Sequence, residues 1–205
     1  MAHQNRVDPC GDFHAVPQRG TLMGNRGILH DEEQRICRSH RHQNWVTCRL
    51  DFKDRKRAVM APGRYTELFF LDEATAFAAG HRPCAECRRA RYREFTEAWL
   101  RAHGVPTSPR PLPQLIDRTL HAARITRSGE KPVFEAAVES LPDGTIFRSG
   151  ANILLLWDRR QWQWSFNGYH AQPQPTTGPV TVLTPQPLLA VFEQGFTPRV
   201  HPSAM

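Results

Sequence analysis

The stretch GHRPCAECRRARYREF, residues 80 to 95, sets Cys84 and Cys87 three positions apart on a turn that leads into a basic segment. Two thiolates at this spacing converge on one metal ion, and the amides that open a following helix help to hold their negative charge. A thiol–disulfide exchange site would use the same spacing, but that motif follows a buried strand, whereas the residues before Cys84 read as a helix and a turn. A tetrahedral site needs two further donors. His30, Cys37, His40, His42, Cys48 and His81 stand within reach along the chain.

The elements that must position these residues follow from local pattern. WVTCRLDF (45 to 52) and RYTELFFL (64 to 71) carry the aromatic and β-branched residues of strands. With the charged KDRKR turn between them they predict a β-hairpin. In DEATAFAAG, Asp72 is an N-cap, the alanines propagate a short helix and Gly80 stops it. The chain turns at Pro83, and a longer helix is expected from Ala85 to about Ala102, with Tyr92, Phe95 and Trp99 sharing its core face. Residues 1 to 29 read as loop with short extended pieces, ending in the glycine-rich RGTLMGNRGILH, where Gly20, Gly24 and Gly27 permit a tight turn or a close backbone approach.

The proline-rich HGVPTSPRPLPQ, residues 103 to 114, reads as a linker. Beyond it, QLIDRTLHAARI forms a short amphipathic helix. The remaining apolar runs, separated by Asp-Gly, Ser-Gly and Asn-Gly turns, predict a small antiparallel β unit closed by a helix from about Gln186 to Gln194. The expected fold is therefore α+β, with a metal-organised module over 1–102, a linker over 103–114 and a β-rich module over 115–205.

The 205 residues suffice for a sizeable core, and 27 Lys and Arg against 20 Asp and Glu give a net charge of +7, which favours polyanionic partners. No apolar run of signal-peptide or membrane-spanning type is present, so a cytoplasmic protein is expected. Five cysteines in such a chain suit metal binding or free thiols better than a disulfide framework.

The run FFLDEATAFAAGHRPCAECRRARY resembles the closing half of the metal-binding domain of Ada-type DNA alkylation-repair proteins, in which a strand, an alanine-rich helix, a turn and C-x-x-C follow one another. The likeness covers about residues 45 to 90. More of the chain resembles an uncharacterised bacterial family sharing GNRGILH, PGRYTELFFLDEA and AGHRPCAECRR. The Ada resemblance implies a zinc site with Cys84, Cys87 and a strand cysteine, here Cys48. The Ada pattern has a second upstream cysteine that this chain lacks between Arg49 and Gly80. The fourth donor must then come from His30 or Cys37, of which His30 is preferred because it ends the glycine-rich loop. The missing cysteine also argues against methyl transfer to a reactive thiolate.

Half of this site fits a second chemistry. Zinc nucleobase deaminases pair H-x-E with P-C-x-x-C, and the chain contains His30-Asp31-Glu32 and Pro83 to Cys87. That alternative is a zinc-dependent hydrolase using His30, Glu32, Cys84 and Cys87, with Glu32 as proton shuttle; the helix expected before Gly80 stands where a strand is required. Asp117 and His121, one turn apart, read as a surface ion pair in preference to an acid–base or metal pair. Nine Lys or Arg between residues 35 and 64, among them Arg55, Lys56 and Arg57, and a second group that includes Arg88 and Arg89, predict a cationic face for DNA or RNA. The function expected from the sequence is a zinc-binding protein that engages nucleic acid, its zinc mainly structural.

Overall fold

A computed structural model describes residues 2–53 and 58–205. Arg55, Lys56 and Arg57 lie outside the described residues. The chain is α+β, with two six-stranded sheets and four helices among the described residues.

The first sheet uses short strands: β1 (Arg6–Val7), β2 (Phe13–His14), β3 (Leu22–Asn25), β4 (Val46–Cys48), β5 (Leu68–Phe70) and β6 (Arg82–Pro83), in the order β2-β1-β5-β3-β4-β6. The predicted hairpin between β4 and β5 is not formed. β3 lies between them and pairs antiparallel with both, setting Met23 opposite Cys48 on one side and Phe69 on the other. The glycine-rich segment makes this insertion possible. A Cβ at Gly24 would come within 2.3 Å of the Phe70 ring, so only glycine lets β3 lie against that ring.

Helix α1 (Glu73–Ala78) forms as its sequence dictates, with the Asp72 side chain accepting the Thr75 amide at the N-cap and Gly80 adopting φ +83° just beyond the end. All six helical residues are buried. Its alanines allow that, because small side chains let three packed clusters meet on one short helix: Phe77 in one, Ala74 and Ala78 in a second, Ala76 in the third.

Helix α2 begins at Arg89 rather than Ala85 and runs to His103, since residues 84 to 88 are spent on the cysteine turn. Phe95 and Trp99 face the core as their spacing predicts, while Tyr92 is only part-buried. α3 (Leu112–Arg124) starts inside the proline-rich segment, with Pro113 in its first turn, where the missing amide costs no hydrogen bond.

The second sheet is antiparallel throughout, in the order β11-β10-β9-β8-β12-β7, from β7 (Phe134–Ala137), β8 (Ile146–Ser149), β9 (Asn152–Trp157), β10 (Arg160–Ser165), β11 (Gly168–Ala171) and β12 (Pro179–Val182), and α4 (Gln186–Glu193) follows it. Residues from both sides of the 103–114 segment share one core, in which Phe77, Phe95 and Trp99 join Ile116, Leu120, Phe147, Leu154 and Phe192. No described helix is long and apolar enough to cross a membrane.

Candidate metal centre

β4 has the alternation of a strand with two different faces. Trp45 and Thr47 are buried, while Val46 and Cys48 are half-buried on the other side, as the pleat requires. β6 runs parallel to β4, pairing Val46 with Arg82 and Thr47 with Pro83, and the Cys84 amide donates to the Thr47 carbonyl at 2.9 Å. That pairing delivers Cys84 beside Cys48. The turn that follows folds back through the Arg88 amide to the Cys84 carbonyl, 3.2 Å, and brings Cys87 to the same point.

The sulfurs of Cys48, Cys84 and Cys87 all lie within 4.8 Å of one another. Among the described residues no other histidine, cysteine or carboxylate joins them at that separation. The Glu86 amide donates to Cys84 Sγ at 3.4 Å, a contact that stabilises a thiolate. Cys84 is held well below the ordinary thiol value, by hydrogen bonds from Cys48 and then Cys87. Cys48 is correspondingly raised, through its hydrogen bonds to Cys84 and Cys87 and through burial. Cys87 is raised on balance, its hydrogen bond with Cys48 being outweighed by that with Cys84 and by burial. Three thiols in one place thus part with a single proton readily, and a cation is what would let all three ionise. Soft, convergent sulfurs suit a thiophilic metal ion.

His30 is elsewhere. Its ring nitrogens meet Thr66 Oγ1 at 2.6 Å and the Ala61 carbonyl at 3.4 Å, because the backbone bridge to Ile36 closes its loop there. Glu32 and Cys37 are exposed in the same loop, and Cys37 Sγ donates to the Arg35 carbonyl. The structure therefore unites Cys48, Cys84 and Cys87 and keeps His30, the fourth predicted ligand, apart from them. It likewise separates the His30 and Glu32 of the deaminase reading from the C-x-x-C turn.

Arg88 does not face solvent. It donates through Nη1 to Thr47 Oγ1 at 2.7 Å and through Nη2 to Glu73 Oε1 at 2.5 Å, with both partners buried. Glu73 also receives Arg91 Nη2 at 2.7 Å and the Arg199 amide at 2.9 Å. Burial would raise this carboxyl, but the hydrogen bond from Arg91 and the charges of Arg88 and Arg91 together hold it below its ordinary value. Arg88 is thus an internal brace that fastens the cysteine turn to β4 and α1. Arg89, one residue on, is exposed.

Asp117 is also internal. It accepts Nε and Nη2 of Arg82, each at 2.7 Å, so it fixes β6 to α3 rather than pairing with His121. His121 instead lies against Trp45 and His40, at ring separations of 6.3 and 5.2 Å. On the Trp45 ring sit the buried guanidiniums of Arg26 and Arg124, each 4.0 Å from its centroid. The sequence pattern does not reveal this cluster, since its members come from three stretches far apart in the chain, at residues 26, 40–45 and 121–124. Nor does it reveal Glu73, whose place as an ordinary first-turn acid conceals three donors that arrive from residues 88, 91 and 199.

Two depressions flank the thiols. A pocket of about 190 Å³ contains all three cysteines among its lining residues, with Met23, Phe52, Tyr65, Glu67 and Phe69. A wider groove adjoining it is lined by Cys87, Arg49, Arg89 and Arg199, with Asp72 and Glu73. No family model, curated protein or solved structure matches the chain.

Proposed function

We propose that Cys48, Cys84 and Cys87 hold one zinc ion and that the protein engages DNA or RNA through the arginine-lined groove beside it. The mutual approach of three sulfurs to within 4.8 Å carries this reading. Zinc is the fitting metal because it accepts thiolates without redox change and tolerates distorted tetrahedral sets. Bound there, it would cross-link β4 to the turn ahead of α2, and with three protein donors its fourth position would be left to water or a ligand. The buried Arg88, Thr47 and Glu73 network supports the cross-link, as it fixes the same two segments from behind the sulfurs.

The nucleic-acid part rests on what remains cationic at the surface. Among the described residues, Arg89 and Arg199 have exposed side chains with no acidic partner and Arg49 meets the exposed Asp51 at 3.1 Å, an ion pair of little strength. The acids of the same groove, Asp72 and Glu73, are engaged by internal donors. A phosphate would thus meet positive charge there without an opposing carboxylate.

Elemental analysis of protein purified under reducing conditions tests the metal, with about one zinc per chain expected. Anisotropy titration of labelled oligonucleotides tests the partner. Metal-free protein that is fully folded would refute the first part, and absence of binding at low salt the second.

A further inference from the structure

One row of side chains crosses the first sheet from Arg6 to Cys48. Arg6 of β1 stands opposite Phe69 of β5, Phe69 opposite Met23 of β3, and Met23 opposite Cys48 of β4. Residues paired in this way point to one face of a sheet. All four are half-buried, whereas Val7, Leu68, Phe70, Gly24 and Thr47, which alternate with them, are buried. The depressions along this half-open face are continuous. Leu50, Val59 and Phe69 line both the pocket beside the sulfurs and a further one of about 330 Å³ at the Arg6 end, and Arg49 and Cys87 line both the pocket beside the sulfurs and the arginine groove. The far pocket adds His3, Arg6 and Arg19, and no acid is among its described lining residues.

We propose that this trench is one binding site for the sugar–phosphate backbone of a single nucleic-acid strand, which crosses the sheet face from Arg6 and Arg19, past the thiols, to Arg89 and Arg199. The inference rests on the nucleic-acid reading above and adds a second set of cations to it. Arg19 is exposed, with no acidic partner among the described residues. Arg6 lies over the Phe69 ring, 4.7 Å from its centroid, and donates to the Gln18 carbonyl and the Asn5 side chain. Those partners are neutral, so its charge stays uncompensated. Burial, and then the charge of Arg19, lowers the Arg6 value, a cost that a phosphate between them would relieve. The carboxylates along the way are engaged: Glu86 pairs with Lys53 at 3.4 Å, and the buried Glu67 accepts the Met60 amide at 2.8 Å. From Arg6 to Cys48 the row takes three strand spacings, roughly 14 Å, the length of about four phosphates of a stacked strand at ~3.4 Å each. Depressions join the two sets of cations, not the projecting helix or ribbon that a duplex groove admits, so a single strand is the fitting form.

The experiment measures, by anisotropy with the zinc-loaded protein, the affinity of labelled single strands of about four and about eight nucleotides, lengths that fall short of and exceed the span from one set of cations to the other. Affinity is expected to rise at least about fivefold from the shorter to the longer strand. Arg19→Glu is expected to abolish that rise and to reduce the salt slope of the longer strand by about 0.7 for each phosphate no longer neutralised. Arg160→Glu, an equal change of charge at an exposed position of the second sheet, is expected to do neither. A rise with length that survives Arg19→Glu, equal losses in Arg19→Glu and Arg160→Glu, or tighter binding of a duplex of the same sequence would overturn the inference and leave the groove reading intact. No binding of any strand would overturn both.

Discussion

Arg82 and Asp117 meet through two parallel hydrogen bonds, Nε to Oδ1 and Nη2 to Oδ2, each 2.7 Å and both buried. They join β6, which carries the chain into the cysteine turn, to α3 of the following half. Asp117→Ala removes the acceptor and leaves a guanidinium buried, so a loss of about 3–5 kcal/mol is expected. Urea denaturation measures it. An Arg82→Leu and Asp117→Leu double variant should recover part of that loss, because no charge is then left unpaired.

The metal prediction separates two residues that the sequence placed in one site. Cys48→Ser should lose most of the bound zinc, while His30→Ala should retain it, since His30 is held by Thr66 and Ala61. Zinc content after dialysis against a weak chelator reads both. Loss of zinc in His30→Ala with the fold intact would return His30 to the ligand set.

Neighbouring arginines should behave oppositely. Changing Arg89 and Arg199 together to glutamate should weaken oligonucleotide binding and reduce the salt slope by about 0.7 for each phosphate of a single strand that is no longer neutralised. Arg88→Gln should instead lower the denaturation midpoint, because it strips a buried partner from Glu73. A salt slope that changes as much in Arg88→Gln as in the double variant would contradict the internal position of Arg88.

Acid should act through histidine before it acts through carboxylate. His81 is fully buried, and its value is pushed well below the ordinary one by burial first and then by the charges of Arg26 and Arg124. Arg26 Nε donates to His81 Nε2 at 3.3 Å, which requires a neutral ring. The unfolded chain takes up a proton near pH 6.5 while the folded chain does not, so the stability His81 contributes is complete above pH 6.5 and is lost progressively as pH falls below it. His40, His42 and His121 are lowered in the same direction, each by burial first. The buried His81 adds at most about 1.4 kcal/mol per pH unit, and the other three, which solvent screens, add less. Urea midpoints between pH 8 and 5 should fall, and His81→Gln should flatten the fall.

Gly80 is closed to any side chain. It adopts φ +83°, and a Cβ there would lie 2.5 Å from Cδ of the buried Arg124. Gly80→Ala should therefore cost more than ~1 kcal/mol, measured by thermal melting.

Much of this was legible in the chain. Asp72 and Gly80 bracket α1 because capping is a local matter, settled by a few adjacent residues. Cys84 and Cys87 declare themselves by spacing, whereas Cys48 stands out from six candidate donors only through the resemblance to the Ada-type domain. What was not legible is non-local. WVTCRLDF and RYTELFFL both contain strands, but β3 separates them, and no pattern within either run says so. His30 looks free until Thr66, 36 residues away, takes its ring. Arg88 and Arg89 are indistinguishable as letters, and only the position of Glu73 decides which of them is internal.

The Arg199 amide reaches Glu73 across 126 residues. On a ribosome adding about 5–20 residues per second, the groove thus waits on the order of 6–25 s for its last wall after Glu73 has been made. Arg88 and Arg91 emerge almost at once and can neutralise that carboxylate in the nascent chain. The surface beside the thiols is completed only once residue 199 has been made.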